Sequence, residues 1–173
     1  ADLDLSSLRR ASIGSEPVVR TDLERFVERF VPFGLSRGVL RPAYGLAEAT
    51  VAVSLAPARP TYRWVSADRT CLESARSYLP APEGDGLELV SVGPPIEGLE
   101  LRIVDPGTGA VLAERRVGEV ELSGTSISAG YAGEPPRESA WLKTGDLGFL
   151  LDGGLYVTGL AGVWLVPPRT LPK

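Results

Sequence analysis

Arg41-Pro-Ala-Tyr-Gly-Leu-Ala-Glu-Ala-Thr50 is the stretch on which the reading of this chain turns, and Trp141-Leu-Lys-Thr-Gly-Asp146 answers it far downstream. In the first, an aromatic, a glycine and an acid follow a short apolar run, Gly38-Val-Leu40. A flat ring such as Tyr44 can stack on a base, and a glycine such as Gly45 lets backbone come close to a ligand. Glu48 stands three residues past that glycine and can hold a hard cation through its oxygens. In the second stretch Asp146 follows a glycine, a setting suited to accepting hydrogen bonds from a pair of hydroxyls. Each residue also has a plainer reading. Turns use the same residue types, Tyr44 beside Pro42 can be core, Glu48 can be an acid at a helix end, and Asp146 can belong to a turn.

Around these stretches the chain divides by texture. Upstream, Leu3 to Ile13 reads as extended and ends at Gly14, and Ser15-Glu16-Pro17 reads as a loop. Thr21 and Glu24 fit a capping box, and Leu23, Phe26, Val27, Phe30 and Val31 recur at helical spacing, predicting a helix with a core-facing stripe. Pro32 and Gly34 end it. Gly38 to Pro42 predicts a short strand, while Leu46 to Leu55 follows neither period, leaving helix and buried strand both open. Downstream, Thr61–Val65 alternates like a strand and Asp68–Tyr78 contains a helix. Strands are predicted at Leu87–Val92, Leu99–Val104, Gly118–Ser123, Phe149–Leu151 and Leu155–Thr158. Asp105-Pro-Gly-Thr-Gly109 and Asp152-Gly-Gly154 have hairpin chemistry. The expectation is an α/β section over 1–58, a β-rich barrel-like lobe over 59–159 and a divergent tail over 160–173.

Composition narrows the function classes. The 173 residues carry a net charge of −4, with lysine only at 143 and 173 and no basic block, which argues against a nucleic-acid partner. Histidine is absent, removing the commonest general base and metal ligand. Cys71 is the single cysteine, so no internal disulfide forms, and a reducing, cytoplasmic setting is expected. No apolar run is long enough to span a membrane. The chain has no methionine, from which excision from something longer is expected. Lys143-Thr-Gly145 lacks the Ser-x-x-Lys of a β-lactamase, and Gly124-Thr-Ser-Ile-Ser128 misses a nucleophile elbow by its last residue.

Tyr44-Gly-Leu-Ala-Glu48 and Thr144-Gly-Asp146 together resemble two core motifs of the adenylate-forming superfamily, which includes acyl-CoA synthetases, peptide-synthetase adenylation domains and fatty acyl-AMP ligases. The likeness runs over residues 1–159. It is closest to the fatty acyl-AMP ligases, on Leu5 to Val18, on Tyr44 to Thr50 with its Ala47, and on Val65 to Glu73. Val92 to Gly98, Ile103 to Pro106, Gly118-Glu-Val120, Gly130-Tyr131 and Trp141 to Gly159 are similar to the superfamily's β-rich region. The resemblance implies part of a large N-terminal domain that is α/β overall and α+β in this span.

It also implies roles. Gly14, Ser15, Glu16 and Pro17 line the adenine side of a nucleotide pocket; Tyr44 stacks on adenine; Gly45, Leu46 and Ala47 shape the wall toward the phosphates. Asp146 accepts from the ribose hydroxyls, and Glu48 holds the Mg2+ that bridges ATP phosphates. The implied activity is ATP-dependent conversion of a fatty acid to acyl-adenylate, passed to an acyl carrier protein or polyketide synthase in lipid or polyketide assembly. Three departures are read beside it. The glycine- and Ser/Thr-rich phosphate loop of the family is not among these residues. Leu160 stands where the family has a ribose-gripping arginine, and the C-terminal domain with its lysine has no counterpart after Gly159. Catalytic residues therefore stay unknown, and the chain is expected to be incomplete or inactive alone, with a complementing chain as a possible partner. The alternatives are a non-catalytic relative that binds an adenylate or a protein, and a fragment of an acyl-CoA synthetase.

Overall fold

A computed structural model of the chain describes residues 3–57, 62–133, 135–160 and 163–164. Its first unit is a β-α-β crossover. Strand β1 (Ala11–Ile13) runs parallel to β2 (Leu40–Tyr44), with Ala11 opposite Leu40 and Ile13 opposite Pro42, and helix α1 (Arg20–Phe30) connects them. Strand β3 (Ser54–Leu55) returns antiparallel on the other side of β2. The strand predicted at Gly38–Pro42 forms two residues later, at Leu40–Tyr44, as the central strand of a small sheet that Tyr44 closes.

Helix α1 forms where expected and starts differently. Its N-cap is Val19, with no side-chain cap, so the Thr21–Glu24 capping box does not form. The helix begins two residues earlier than that box implies, and Glu24 is instead engaged by Arg20 at 2.7 Å. Leu23 and Val27 are buried against Leu35, Val39, Leu40 and Val90. Phe26, expected in the same stripe, lies off that face, 43% exposed, with its ring 4.7 Å from Phe30. Pro32 sits in a closing 3-10 turn (Val31–Phe33), and Gly34 ends it with φ +86°, a left-handed conformation that glycine adopts without steric cost.

The β-rich part opens with an antiparallel pair, β4 (Trp64–Ala67) and β5 (Leu87–Val90), and helix α2 (Arg69–Ala75) lies between them in sequence. Asp68 caps α2 by accepting from the Cys71 amide at 2.8 Å. Thr61, the expected start of that strand, lies outside the described residues, as does the tail apart from residues 160, 163 and 164.

Strands β6 (Leu99–Val104), β7 (Gly118–Gly124), β8 (Leu142–Leu151), β9 (Gly154–Leu160) and β10 (Val163–Trp164) then form one antiparallel meander in chain order. Strand β8 is much longer than the predicted Phe149–Leu151, because its first half carries the polar Lys143–Asp146 segment and breaks the alternation by which a strand is recognised. The β8–β9 turn uses Asp152 and Gly153 at φ +49° and +72°, the paired positive values that let a two-residue turn follow strand twist. In the other predicted turn, Asp105 Oδ1 accepts from the amides of Gly107 and Thr108, each at 2.9 Å.

One core is an aromatic column, with Phe149 fully buried and stacked at 5.2 Å on Tyr78 and 5.1 Å on Tyr156. Another packs Ala49 and Val53 from the tyrosine-motif loop against Val92, Ile103, Val120, Leu122 and Leu155. That second core fastens the first sheet to the meander. Arg20 ties helix α1 to the β4–β5 pair, with its guanidinium 3.5 Å over the Trp64 ring and bonded to Glu83 and Glu88, each at 2.9 Å. No helix among the described residues is long and apolar enough to cross a membrane.

Candidate functional site

Strands β1 and β2 are parallel, so their C-terminal ends open on the same side, and the loops leaving them are neighbours. In open α/β sheets this is where ligands bind. Gly14 leaves β1 so close to β2 that a Cβ there would lie 2.4 Å from the Ala43 carbonyl oxygen. Ser15 follows at φ +66°, and Ser15, Glu16 and Pro17 are exposed beside the end of β2.

Tyr44 closes β2, and the chain then folds back sharply. A Cβ on Gly45 would lie 1.5 Å from the Val51 carbonyl oxygen, so no other residue fits without moving the backbone. Ala47–Ala49 make a 3-10 turn, resolving the choice left open for this segment: neither α-helix nor strand until β3. Thr50 and Val51 follow with φ +55° and +76°. For β-branched residues that conformation is strained, and strain of this kind gathers at functional loops. The Val53 amide returns to the Tyr44 carbonyl at 3.0 Å, closing the loop.

Asp146 arrives from the meander. Between the pairs Glu119–Leu147 and Glu121–Lys143, β7 supplies one residue and β8 supplies three, so Thr144, Gly145 and Asp146 bulge out opposite Val120. Bulges re-aim side chains and are frequent beside active sites. Thr144 organises this one by donating its hydroxyl to the Val120 carbonyl at 2.8 Å and accepting from the Asp146 amide at 3.0 Å. Gly145 sits at φ +76°, and its amide reaches a Glu119 carboxylate oxygen at 3.3 Å.

The two motifs meet. The Tyr44 hydroxyl donates to Asp146 Oδ2 at 2.5 Å, across 102 positions of sequence. Both side chains are half-buried, and burial pushes the Tyr44 phenol strongly up, with its bond to the Asp146 carboxylate adding to the rise. Burial also pushes the Asp146 carboxyl up, while the Tyr44 hydrogen bond works against that shift.

Glu48 stands on the 3-10 turn, partly exposed, and the Tyr131 hydroxyl donates to its Oε1. That bond holds the Glu48 carboxyl below its ordinary range, with help from its own backbone amide. Among the described residues no three histidine, cysteine, aspartate or glutamate side chains cluster as a metal cage. One carboxylate in that setting suits an ion such as Mg2+, which keeps waters and takes its remaining ligands from phosphate oxygens.

Of the residues expected here, Gly14 is brought against β2, Tyr44 is joined to Asp146, and Gly45 to Glu48 form one folded loop between them. The reading from sequence missed Tyr131 as the partner of Glu48 and Thr144 as the organiser of Asp146. Thr144 and Tyr131 both lay within quoted stretches, so each residue had a signal, but the pairing of Tyr131 with Glu48 across 83 positions had none. Trp64 and Trp141 serve as platforms for cations, Arg20 on the first and Arg102 at 3.9 Å on the second.

Comparison with known proteins agrees with this geometry. The model of the family described as AMP-binding enzyme matches residues 1–132. The chain is 39% identical over 179 residues to the medium-chain-fatty-acid–acyl-carrier-protein ligase JamA of Moorena producens, covering 92% of this chain and 30% of that protein. It is 39% identical over 178 residues to a 4-hydroxyphenylalkanoate adenylyltransferase of Mycobacterium marinum, covering 92% of this chain and 28% of the relative. A fatty acyl-adenylate ligase from L. pneumophila, solved with acyl adenylate and pyrophosphate, superposes with a TM-score of 0.83 at 33% identity, over 91% of this chain and 30% of that one. The chain therefore spans under a third of the length of these relatives. With two motifs meeting at the ends of parallel strands and a family model matched over most of its length, the chain belongs to the AMP-binding enzyme family.

Proposed function

We propose that this chain forms the adenine and ribose side of the nucleotide site of a fatty acyl-AMP ligase. The observation that carries the reading is the Tyr44–Asp146 contact at 2.5 Å, which joins an aromatic ring and a carboxylate beside the loop that leaves β1. In this reading residues 1–58 present the adenine side, with Gly14, Ser15, Glu16 and Pro17 along one wall and Tyr44 stacking on the base. Gly45, Leu46 and Ala47 bring backbone toward the phosphates, where the crowding at Gly45 leaves no room for a side chain. Residues 59–159 present Asp146, whose carboxylate accepts from the ribose hydroxyls. Glu48 is the side chain that holds Mg2+ on the phosphates of ATP. When bound, the ion offsets charge that builds on the phosphates during displacement.

The reaction class is attack of a fatty-acid carboxylate on the α-phosphate of ATP, giving acyl-adenylate and pyrophosphate. The acyl group then passes to a carrier-protein thiol. The relative from Moorena producens, named for an acyl-carrier-protein acceptor, supports that acceptor class. The test is calorimetric titration of the chain with a non-hydrolysable acyl-adenylate analogue. Saturable binding is expected, with at least a tenfold loss in Asp146→Ala, about 1.4 kcal/mol. A folded chain that takes up no analogue would overturn the reading. Analogue binding without ATP–pyrophosphate exchange would assign a binding module in place of a ligase.

A further inference from the structure

The connection from β7 to β8 supplies Tyr131 to the site described above and leans on that site's acid. It leaves β7 at Gly124, where φ is +154° and a Cβ would lie 2.6 Å from the Gly98 carbonyl oxygen. It passes two more positive-φ glycines, Gly130 at +141° and Gly133 at +87°. Among the described residues, hydrogen bonds from three positions tie it to the 3-10 turn that carries Glu48. Thr50 Oγ1 donates to the Ser126 carbonyl at 2.9 Å, the Ser128 amide donates to the Glu48 carbonyl at 2.7 Å, and the Tyr131 hydroxyl donates to the Glu48 carboxylate. Only the last uses the Glu48 side chain.

We propose that Tyr131 is a latch, holding residues 129–133 on Glu48 while the site is empty and giving way when a divalent cation on a nucleoside triphosphate takes that carboxylate. The inference rests on the reading of Glu48 as a metal-holding side chain and adds a residue to it. Three features support it. Tyr131 is 62% exposed, so water can replace its bond readily. A small divalent ion held by this carboxylate competes for oxygens of which Tyr131 already engages Oε1, and it offsets the charge that strengthens the Tyr131 bond. The two backbone anchors at Ser126 and Ser128 do not involve the carboxylate, so release is confined to the chain beyond them. There the Arg137 amide donates to the Ala129 carbonyl at 3.0 Å, which provides a reporter of the released part, while the Ser128 amide reports the anchored part.

The experiment has two arms on the full chain. In amide exchange without ligand, Tyr131→Phe is expected to speed the Arg137 amide about three- to tenfold and to leave Ser128 unchanged, the range of an ordinary net hydrogen bond, because exposure of Tyr131 reduces what its charged acceptor adds. Equal exchange in both proteins overturns the latch. In the second arm, free Mn2+ is counted by electron paramagnetic resonance against α,β-methylene-ATP. Tyr131→Phe is expected to bind manganese–nucleotide three- to tenfold more tightly, and Glu48→Gln to lose the metal-dependent part. Loss in Glu48→Gln with no gain in Tyr131→Phe overturns displacement while keeping Glu48 as the metal side chain. Metal-dependent binding unchanged in Glu48→Gln overturns the assignment of Glu48 and the displacement together.

Discussion

Replacing Tyr44 with phenylalanine isolates the contact on which the site is built. The ring stays, and one hydroxyl is lost from a 2.5 Å bond to a half-buried carboxylate. A hydrogen bond to a charged group contributes about 1.5–3 kcal/mol, and partial exposure of both partners argues for the lower half, about 1.5–2 kcal/mol at neutral pH. With a urea dependence of about 2 kcal/mol/M, the unfolding midpoint should fall by about 0.75–1 M.

The pH dependence gives a second check. Burial raises the folded pKa of Asp146 above its ordinary 3.8, so the folded state keeps a proton that the unfolded chain releases. Asp146's contribution is therefore favourable at low pH and is lost as pH rises through the window above 3.8. The Tyr44 bond pulls the folded value back down and limits that loss. Removing it widens the window upward, so the difference between Tyr44→Phe and the parent should be largest near neutrality and shrink in acid. A double-mutant cycle with Asp146→Asn should return a coupling of about 1 kcal/mol or more. A coupling under about 0.3 kcal/mol, or a stability difference that does not change with pH, would refute the assignment of this bond as the joint between the two motifs.

Arg20→Ala removes a guanidinium stacked at 3.5 Å on Trp64 and leaves Glu24, Glu83 and Glu88 facing one another. Thermal or urea unfolding should show a loss of about 2 kcal/mol, reduced by added salt because part of it is repulsion among the glutamates. Gly45→Ala forces a Cβ to 1.5 Å from the Val51 carbonyl oxygen, so the 45–52 loop must rebuild. Calorimetry should show adenylate-analogue binding lost by at least tenfold, about 1.4 kcal/mol, even where the meander still unfolds cooperatively.

Much of this architecture was legible because local chemistry and global fold agree. The Leu23–Val27 spacing, the Pro32 and Gly34 stop, the Asp152–Gly153 turn and the pattern of Leu99–Val104 each predict the element that forms. The misreadings have local causes too. Thr21 and Glu24 satisfy the pattern of a capping box, but the Arg20–Glu24 ion pair engages the glutamate and the helix starts two residues sooner. The early half of β8 was hidden because its bulge interrupts the two-residue alternation that marks a strand.

The residue types of the site were set by the sequence alone: a tyrosine, a crowded glycine and two acids in motifs whose order and content identify the family. Their arrangement needed the tertiary structure. Tyr44 reaches Asp146 because the second core packs the loop of the first sheet against the meander, and Glu48 meets Tyr131 because the β7–β8 connection folds back over the 3-10 turn. Periodicity and turn chemistry act over a few residues, whereas these contacts close 102 and 83 positions of chain. The free energy that closes them comes from burying apolar surface that the two segments share only once folded.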